Sequence, residues 1–462
     1  MLPHENKVMI DTIVAQATPP GYGGVSIVRI SGPFVLPIMK AIVKRELSPR
    51  VASATVFYDE ENAIIDEGIA IYFPHPHSFT GEDVLELQGH GGPVVVDLLL
   101  QRCLSLGARL ARPGEFSERA FLNGKMDLTQ AEAVADLIHA SSQQAAKLAM
   151  RSLQGEFSKK IQTLVEAIIY LRMYVEASID FAEEEIDFLA DEKIHNQLLQ
   201  IITHVTDIQT KAQQGCLLKE GLTVAIIGEP NVGKSSLLNW LSGQETAIVT
   251  DIPGTTRDLL RETILMDGLP IHIVDTAGLR DGADTVEQEG IRRAQQAMQK
   301  ADLILYVMDA RAGHEASLLR GAIYVTGQYK ITEDLAKKVI LIRNKIDLLN
   351  ESPSVKKDGI ITVSLSVKEQ QGLDLLRSCI TQYAGLDAER VEGMFLARRR
   401  HLNALARAKT ALETGYQQLQ HQAGELLAEE LRQAQQALNE ITGEFTSNDL
   451  LTRIFSSFCI GK

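Results

Sequence analysis

The sequence predicts a multidomain chain of α/β plus all-α type: an N-terminal α+β domain, a helical bundle, and an inserted α/β domain with a mostly parallel sheet. Three observations predict it. Residues 1–123 are rich in strand-like runs and turn signals. From 124 to 219 the pattern changes to helix, with few glycines and apolar residues at three-to-four spacing, and helical sequence resumes across 387–462. Between them, residues 220–386 carry short apolar runs of the kind that fill a buried parallel sheet.

In the N-terminal part, Gly24-Val-Ser-Ile-Val-Arg-Ile30 and Val84-Leu-Glu-Leu-Gln88 read as strands. On spacing alone, Arg29 and Glu86 read as solvated strand positions. Gly21-Tyr-Gly-Gly24 reads as a tight turn, because it lacks the spacing of a dinucleotide fingerprint. Ala131–Ile138 and Leu164–Val175 read as amphipathic helices, as do Leu426–Leu431 and Ala434–Ile441 after the inserted domain. Each has an apolar stripe that it cannot bury alone. The two helical pieces are therefore expected to form one bundle, on which motion of the insert would pull directly.

The insert carries the chemistry. Gly228-Glu-Pro-Asn-Val-Gly233-Lys234-Ser235-Ser236 fits G-x-x-x-x-G-K-[ST], between the apolar run Leu222–Ile227 and the helix-like run Ser236–Leu241. Glycines let backbone N–H groups of the loop, with Asn231 and Val232 in it, curl around a β-phosphate, and the helix N-terminus adds its positive end. Lys234 would reach the β/γ-phosphate oxygens and the Ser235 hydroxyl would take a place on Mg²⁺. A second apolar run ends in Asp275-Thr276-Ala277-Gly278, where Asp275 would hold Mg²⁺ through water and the Gly278 amide would sense the γ-phosphate. A third ends in Asn344-Lys345-Ile346-Asp347. A carboxylate at Asp347 accepts from N1–H and the 2-amino group of guanine, whereas adenine would leave it unpaired at a cost of roughly 1–3 kcal/mol. Ser366-Val367-Lys368 fits the last base-binding loop, with Val367 where Ala is usual. The order of these motifs predicts a Ras-like GTP-binding domain.

The first switch is Thr250-Asp251-Ile252-Pro253-Gly254-Thr255-Thr256-Arg257-Asp258, and Thr256 is the threonine expected to close on Mg²⁺ and the γ-phosphate. Ras-like enzymes place a glutamine after the Asp-x-x-Gly segment to orient the attacking water. This chain has Leu279 there, so another group must act, either from a partner or from Arg280, Asp281, Asp284 or Glu287.

A formal net charge of −14 over 462 residues excludes a general polyanion binder. The four cysteines are scattered without C-x-x-C spacing, which argues for reduced thiols, and Cys459 reads as a small buried one. The N-terminus lacks a signal-peptide pattern and no apolar run is long enough to span a bilayer, so a cytoplasmic chain without membrane contact is expected.

Ile13-Val-Ala-Gln-Ala-Thr-Pro-Pro-Gly21, the run Ser78–Gly92, Arg112-Pro-Gly-Glu-Phe-Ser-Glu-Arg-Ala-Phe121 and the terminal Phe458-Cys-Ile-Gly-Lys462 together resemble the MnmE (TrmE) family of tRNA modification GTPases. The resemblance covers nearly the whole chain. It implies a homodimer that works with the flavoprotein MnmG, as a heterotetramer, on C5 of the wobble uridine of tRNA. It implies a tetrahydrofolate derivative, 5-formyl- or methylene-tetrahydrofolate, bound by the N-terminal domain through Arg29, Glu86, Lys125 and Lys462. For the missing glutamine it implies a potassium ion held by Asn231 and by the carbonyls of Thr250, Ile252 and Thr255, with Glu287 placing the water. Lys234, Thr256 and Glu287 would then be the catalytic residues.

Two other classes remain to be weighed. A ribosome-assembly GTPase of the same lineage would carry a basic RNA-binding module, which this acidic chain lacks. A nucleotide-switched scaffold would look the same in its helical and GTPase parts but would have no need of a folate site.

Overall fold

The computed structural model describes residues 11–180, 192–243, 260–275, 296–312, 324–325, 329–330, 337–358, 360–385, 393–444, 448–456, 458–459 and 461. The expected α+β, helical and α/β parts are all present. By contact the chain forms two compact units: Met1–Ala135, Ser152–Ile201 and Arg407–Lys462 in the first, Asp136–Arg151 and Ile202–Ala406 in the second.

The first unit holds a six-stranded sheet of β1 (Thr12–Gln16), β2 (Gly23–Ser31), β3 (Ser53–Tyr58), β4 (Ile64–Phe73), β5 (Val84–Gly91) and β6 (Ala108–Leu110). Their order is β3-β4-β5-β2-β1-β6, antiparallel throughout except for β1 beside β6. Helices α1 (Val35–Val43) and α2 (Pro93–Ser105) share a core with Val28, Ile30, Leu85 and Leu87. Because strand side chains alternate between faces, Arg29 and Glu86 point to the other face, where β2 and β5 set them directly opposite each other.

Helix α3 (Glu115–Leu122) follows and is fixed by buried charge. Arg119, 1% exposed, donates to Asp11 Oδ1 at 2.8 Å, to Glu82 Oε2 at 3.1 Å and to Glu115 Oε1 at 3.3 Å. Glu115 also accepts two bonds from Arg109, at 2.9 and 2.5 Å, and one from the Arg112 amide at 2.8 Å.

The later helices are α4 (Leu128–Ile138), α5 (Gln143–Leu153), α6 (Glu156–Asp180), α7 (Glu192–Glu220), α8 (Lys234–Ser242), α9 (Leu373–Tyr383), α10 (Arg399–Gln420), α11 (Gly424–Thr442) and α12 (Asn448–Ser456). The two stretches read at 426–431 and 434–441 are one continuous helix, α11. It packs along α6, where Arg172 donates to Gln435 Oε1 at 2.7 Å. Leu451, Ile454, Phe455 and Phe458 close the chain against Leu128 and Ala131 of α4.

The second unit is built on a seven-stranded sheet. It contains β7 (Leu222–Gly228), β8 (Leu260–Met266), β9 (Leu269–Asp275) and β10 (Leu303–Asp309), then, beyond a short ribbon β11 (Tyr324–Val325) and β12 (Tyr329–Lys330), β13 (Val339–Asn344), β14 (Ser354–Asp358) and β15 (Ile360–Ser364). The order is β14-β15-β13-β10-β7-β9-β8, parallel through the five central strands and antiparallel at both edges. Val224, Ile226, Leu305 and Ile342 pack under α8 and α9, while Ala225, Ile227, Ile304 and Tyr306 face Ala297 and Met298. Burial on both faces explains the unbroken apolar runs. Leu148 and Ala149 of α5 join the first of these clusters.

The Glu115 network generates a pH prediction. Burial works to raise its carboxyl, but the Arg109 hydrogen bonds and the Arg112 amide outweigh burial and hold it at about 2, against an ordinary 4.5. A depressed carboxylate stabilises the fold above its unfolded value, and the contribution is lost as pH falls through the folded one. Between pH 4.5 and about 2 this part of the first unit should therefore weaken. Glu115→Gln should cost about 3–5 kcal/mol at neutral pH, because it leaves Arg109 and Arg119 short of a buried partner, and should flatten the acid dependence. Hydrogen exchange of the β1, β2 and α3 amides measures both; wild-type protection in the variant at neutral pH would remove Glu115 as the node.

Candidate functional sites

Strand β7 ends at Gly228 with φ +147°, and the loop after it re-enters helix at Gly233, φ +103°. A Cβ at Gly228 would lie 2.0 Å from the Val307 carbonyl oxygen, and one at Gly233 would lie 2.2 Å from Nδ2 of Asn344. Both positions require glycine. Asn231, exposed between them, has φ +61°, a left-handed conformation that Asn adopts more readily than most residues. Val232 is buried, while Ser235 and Ser236 are exposed in the first turn of α8. Lys234 Nζ donates to the carbonyls of Gly228 at 2.8 Å and Glu229 at 2.6 Å, which holds the ammonium over the loop. A helix N-terminus opening into such a loop, with a lysine at its rim, is built for a phosphate chain.

The base side is assembled around Asn344, 4% exposed at the end of β13. Its Nδ2 donates to the Val232 carbonyl at 2.8 Å and its Oδ1 accepts from the Val367 amide at 3.1 Å. Lys345, φ +70°, donates from Nζ to the Asn231 carbonyl at 2.7 Å and pairs with Asp309 Oδ2 at 2.9 Å. Asp347 Oδ1 accepts from the Ser366 hydroxyl at 2.5 Å, and Ser366 Oγ accepts from the Glu369 amide at 3.2 Å. Lys368 is exposed beside Glu369. The segments 228–236, 344–347 and 366–368 therefore form one cradle. The backbone of Asp275 ends β9, level with Ile226 of β7. Thr250, Asp251, Ile252, Pro253, Gly254, Thr255, Thr256, Thr276, Ala277, Gly278, Leu279 and Glu287 lie outside the described residues.

Sequence reasoning missed Asp309. It closes β10 and sits beside Asn344 in the parallel register. Arg311 binds it through Nε at 3.0 Å and Nη2 at 2.8 Å. The Arg311 hydrogen bond is the main reason its carboxyl lies well below the ordinary range; burial opposes the shift and Lys345 adds to it. The signal was present: Leu303–Met308 is an apolar run ending in Asp, as is the run ending in Asp275.

A second constellation lies on the open face of the first unit's sheet. Arg29 and Glu86 are joined through Nε at 2.9 Å and Nη2 at 2.8 Å, with side chains only 17% and 14% exposed. This corrects their reading as solvated positions: register across β2 and β5 pairs them. The Arg29 guanidinium lies 5.5 Å from the Phe79 ring centre and 5.8 Å from that of Phe116. Lys125 donates to the Pro76 carbonyl at 3.0 Å, so it holds the same 76–81 loop that carries Phe79. Arg29 Nη1 also donates to the Gly461 carbonyl at 3.3 Å, and a Cβ at Gly461 would lie 2.2 Å from the Gln16 carbonyl oxygen. The chain's end is thus seated against β1 and β2, although Lys462 itself lies outside the described residues. Cys459 is exposed, contrary to the buried thiol expected, and the Gly114 amide donates to its carbonyl at 3.2 Å. Glu86 engages Arg29 through one oxygen, which leaves the other for a donor edge, and the flanking rings offer flat apolar surface.

The base cradle is testable on its own. Asp347→Asn removes the charge that pairs with a guanine edge, and preference for GDP over ADP in competition binding should fall tenfold or more, about 1.4 kcal/mol. Undiminished preference would mean that another group reads the base.

The family descriptions "GTP-binding protein TrmE N-terminus" and "MnmE helical domain" match residues 12–125 and 128–459. The chain is 58% identical over 456 residues to the tRNA modification GTPase MnmE of Coxiella burnetii (strain RSA 493 / Nine Mile phase I), covering 98% of this chain and 99% of the relative. It is 57% identical over 455 residues to that of Vibrio cholerae serotype O1 (strain ATCC 39315 / El Tor Inaba N16961), with the same coverage. Among solved structures, the G domain of the T. maritima FeoB iron transporter is 27% identical over 35% of this chain and 98% of that chain, with a TM-score of 0.23. Full-length identity to the MnmE relatives, together with the two family matches, shows that the chain belongs to the MnmE (TrmE) family of tRNA modification GTPases.

Proposed function

We propose that this chain is a potassium-activated GTPase that works with the flavoprotein MnmG. In this reading it couples GTP hydrolysis and a tetrahydrofolate one-carbon unit to modification of C5 of the wobble uridine of tRNA, giving aminomethyl- or carboxymethylaminomethyl-type groups. The observation that carries the reading is the Asn344 side chain, which joins the P-loop at Val232 to the last base-binding loop at Val367. Family membership supplies the tRNA.

On this reading Lys234 exchanges its bonds to the Gly228 and Glu229 carbonyls for phosphate oxygens, a charge-assisted and stronger pairing. Ser235 and Thr256 would hold Mg²⁺ directly and Asp275 would do so through water, while Asn231, Thr250, Ile252 and Thr255 would hold K⁺. The two cations would offset charge that develops on the phosphates. Gly278 reads the γ-phosphate, and Glu287 positions the water that Leu279 cannot. Arg29, Glu86, Lys125 and Lys462 would bind the folate, which supplies the one-carbon unit. The domains are 1–123 for folate and dimer formation, 124–219 with 387–462 as the helical bundle, and 220–386 as the GTPase. The protein would act as a cytoplasmic homodimer within a heterotetramer with MnmG. Among the described residues no helix is long and apolar enough to cross a membrane.

Single-turnover GTP hydrolysis in potassium against sodium buffer tests the nucleotide half. Turnover should be faster in potassium and should drop tenfold or more in Glu287→Ala. Equal slow rates in both salts, or an unaffected variant, would discard the cation and glutamate assignments. For the folate half, titration calorimetry with 5-formyl-tetrahydrofolate should show Arg29→Ala binding at least tenfold more weakly, on the scale of a lost charged hydrogen bond. Equal affinity would move the folate elsewhere.

A further inference from the structure

We infer that Asp309 is a positioning residue of the nucleotide site, acting through the Lys345 ammonium on the P-loop carbonyl of Asn231; the inference rests on reading that site as one for GTP. Lys345 lies between two loops. Its Nζ donates to the Asn231 carbonyl at 2.7 Å and to Asp309 Oδ2 at 2.9 Å. A lysine ammonium is a point charge on a flexible stem, with about 2 kcal/mol of rotamer entropy to lose on ordering. A lone carbonyl is a weak anchor for such a group. A fixed carboxylate 2.9 Å away is a strong one.

Asp309 is itself fixed. It ends a central strand, level with Asn344, and the Arg311 backbone amide and guanidinium hold both of its oxygens. The carboxylate plane is thus set before the lysine meets it. The ordered ammonium in turn holds the carbonyl of Asn231, the P-loop residue in a left-handed conformation. Asp309 and Lys345 are 16% and 29% exposed, and the work of the pair is to hold loop shape rather than to stabilise the fold.

The test uses the full-length protein, Mg²⁺ and the fluorescent analogue mant-GDP. Asp309→Asn, which keeps shape but not charge, should raise Kd about tenfold, chiefly through faster dissociation. In a Lys345→Met background the same change should add less than twofold, because the group it acts through is gone. Asp309→Glu should fall between wild type and Asp309→Asn, and guards against a variant that fails to fold. Wild-type affinity in Asp309→Asn would overturn the inference. So would an undiminished loss in the Lys345→Met background, which would mark general weakening of the domain. If the wild-type chain fails to bind mant-GDP at all, the GTP-site reading falls first and the inference with it.

Discussion

One buried amide holds the nucleotide site together. Asn344 spends its donor on the Val232 carbonyl and its acceptor on the Val367 amide, so three loops far apart in sequence share a single side chain. Removing it would leave buried polar groups of two loops unpaired, at about 1–3 kcal/mol each. Its place depends on the parallel sheet, which sets the ends of β7, β10, β13 and β15 at one edge. Ligand sites of open α/β sheets lie at that carboxyl edge. The fit is tight enough that the glycines are obligatory: at Gly233 an added Cβ would meet the Asn344 amide at 2.2 Å.

The first unit relies on charge instead. Arg119 and Glu115 are buried, and three chain segments contribute to their pairing. Buried ion pairs are weak evidence for stability, since desolvation offsets most of the attraction. What they impose here is geometry, because α3 can sit in only one register against the strand ends that supply Asp11 and Glu82. That placement brings Phe116 to the guanidinium of Arg29 and brings Gly114 to the Cys459 carbonyl. The network therefore supports the Arg29–Glu86 site without touching it.

Local features were legible in the sequence and distant pairings were not. The strand–loop–helix of the P-loop is encoded within twenty residues, so glycine spacing and apolar runs were enough to find it. The Arg29–Glu86 pair depends on register between strands 57 residues apart, and alternation alone left both side chains on a solvated face. Helix α5 falls within the stretch read as helical, but nothing local could say that Leu148 and Ala149 would be buried against the second unit's sheet. Cys459 was misread because free thiols are usually buried, whereas this one is exposed on a segment tied through its backbone to Gly114, 345 positions away. Asp309 was overlooked although its strand-end position resembles that of Asp275.

The Asn-Lys-Ile-Asp motif is usually read as a unit that recognises guanine, but the contacts divide its labour. Asn344 and Lys345 hold two successive P-loop carbonyls, those of Val232 and Asn231. A left-handed Asn231 costs of order 1 kcal/mol or more and persists only where its surroundings over-determine it. Two pinned carbonyls supply that constraint. Asp347, braced by Ser366, is the member of the motif left to discriminate bases. Changes at 344 or 345 should thus reach the phosphates and weaken binding of any nucleotide, whereas a change at 347 should alter only which base is preferred. The first two residues of the motif shape the phosphate loop, Asn344 also tying it to the base-binding loop at Val367, and the last is the one left to read the base.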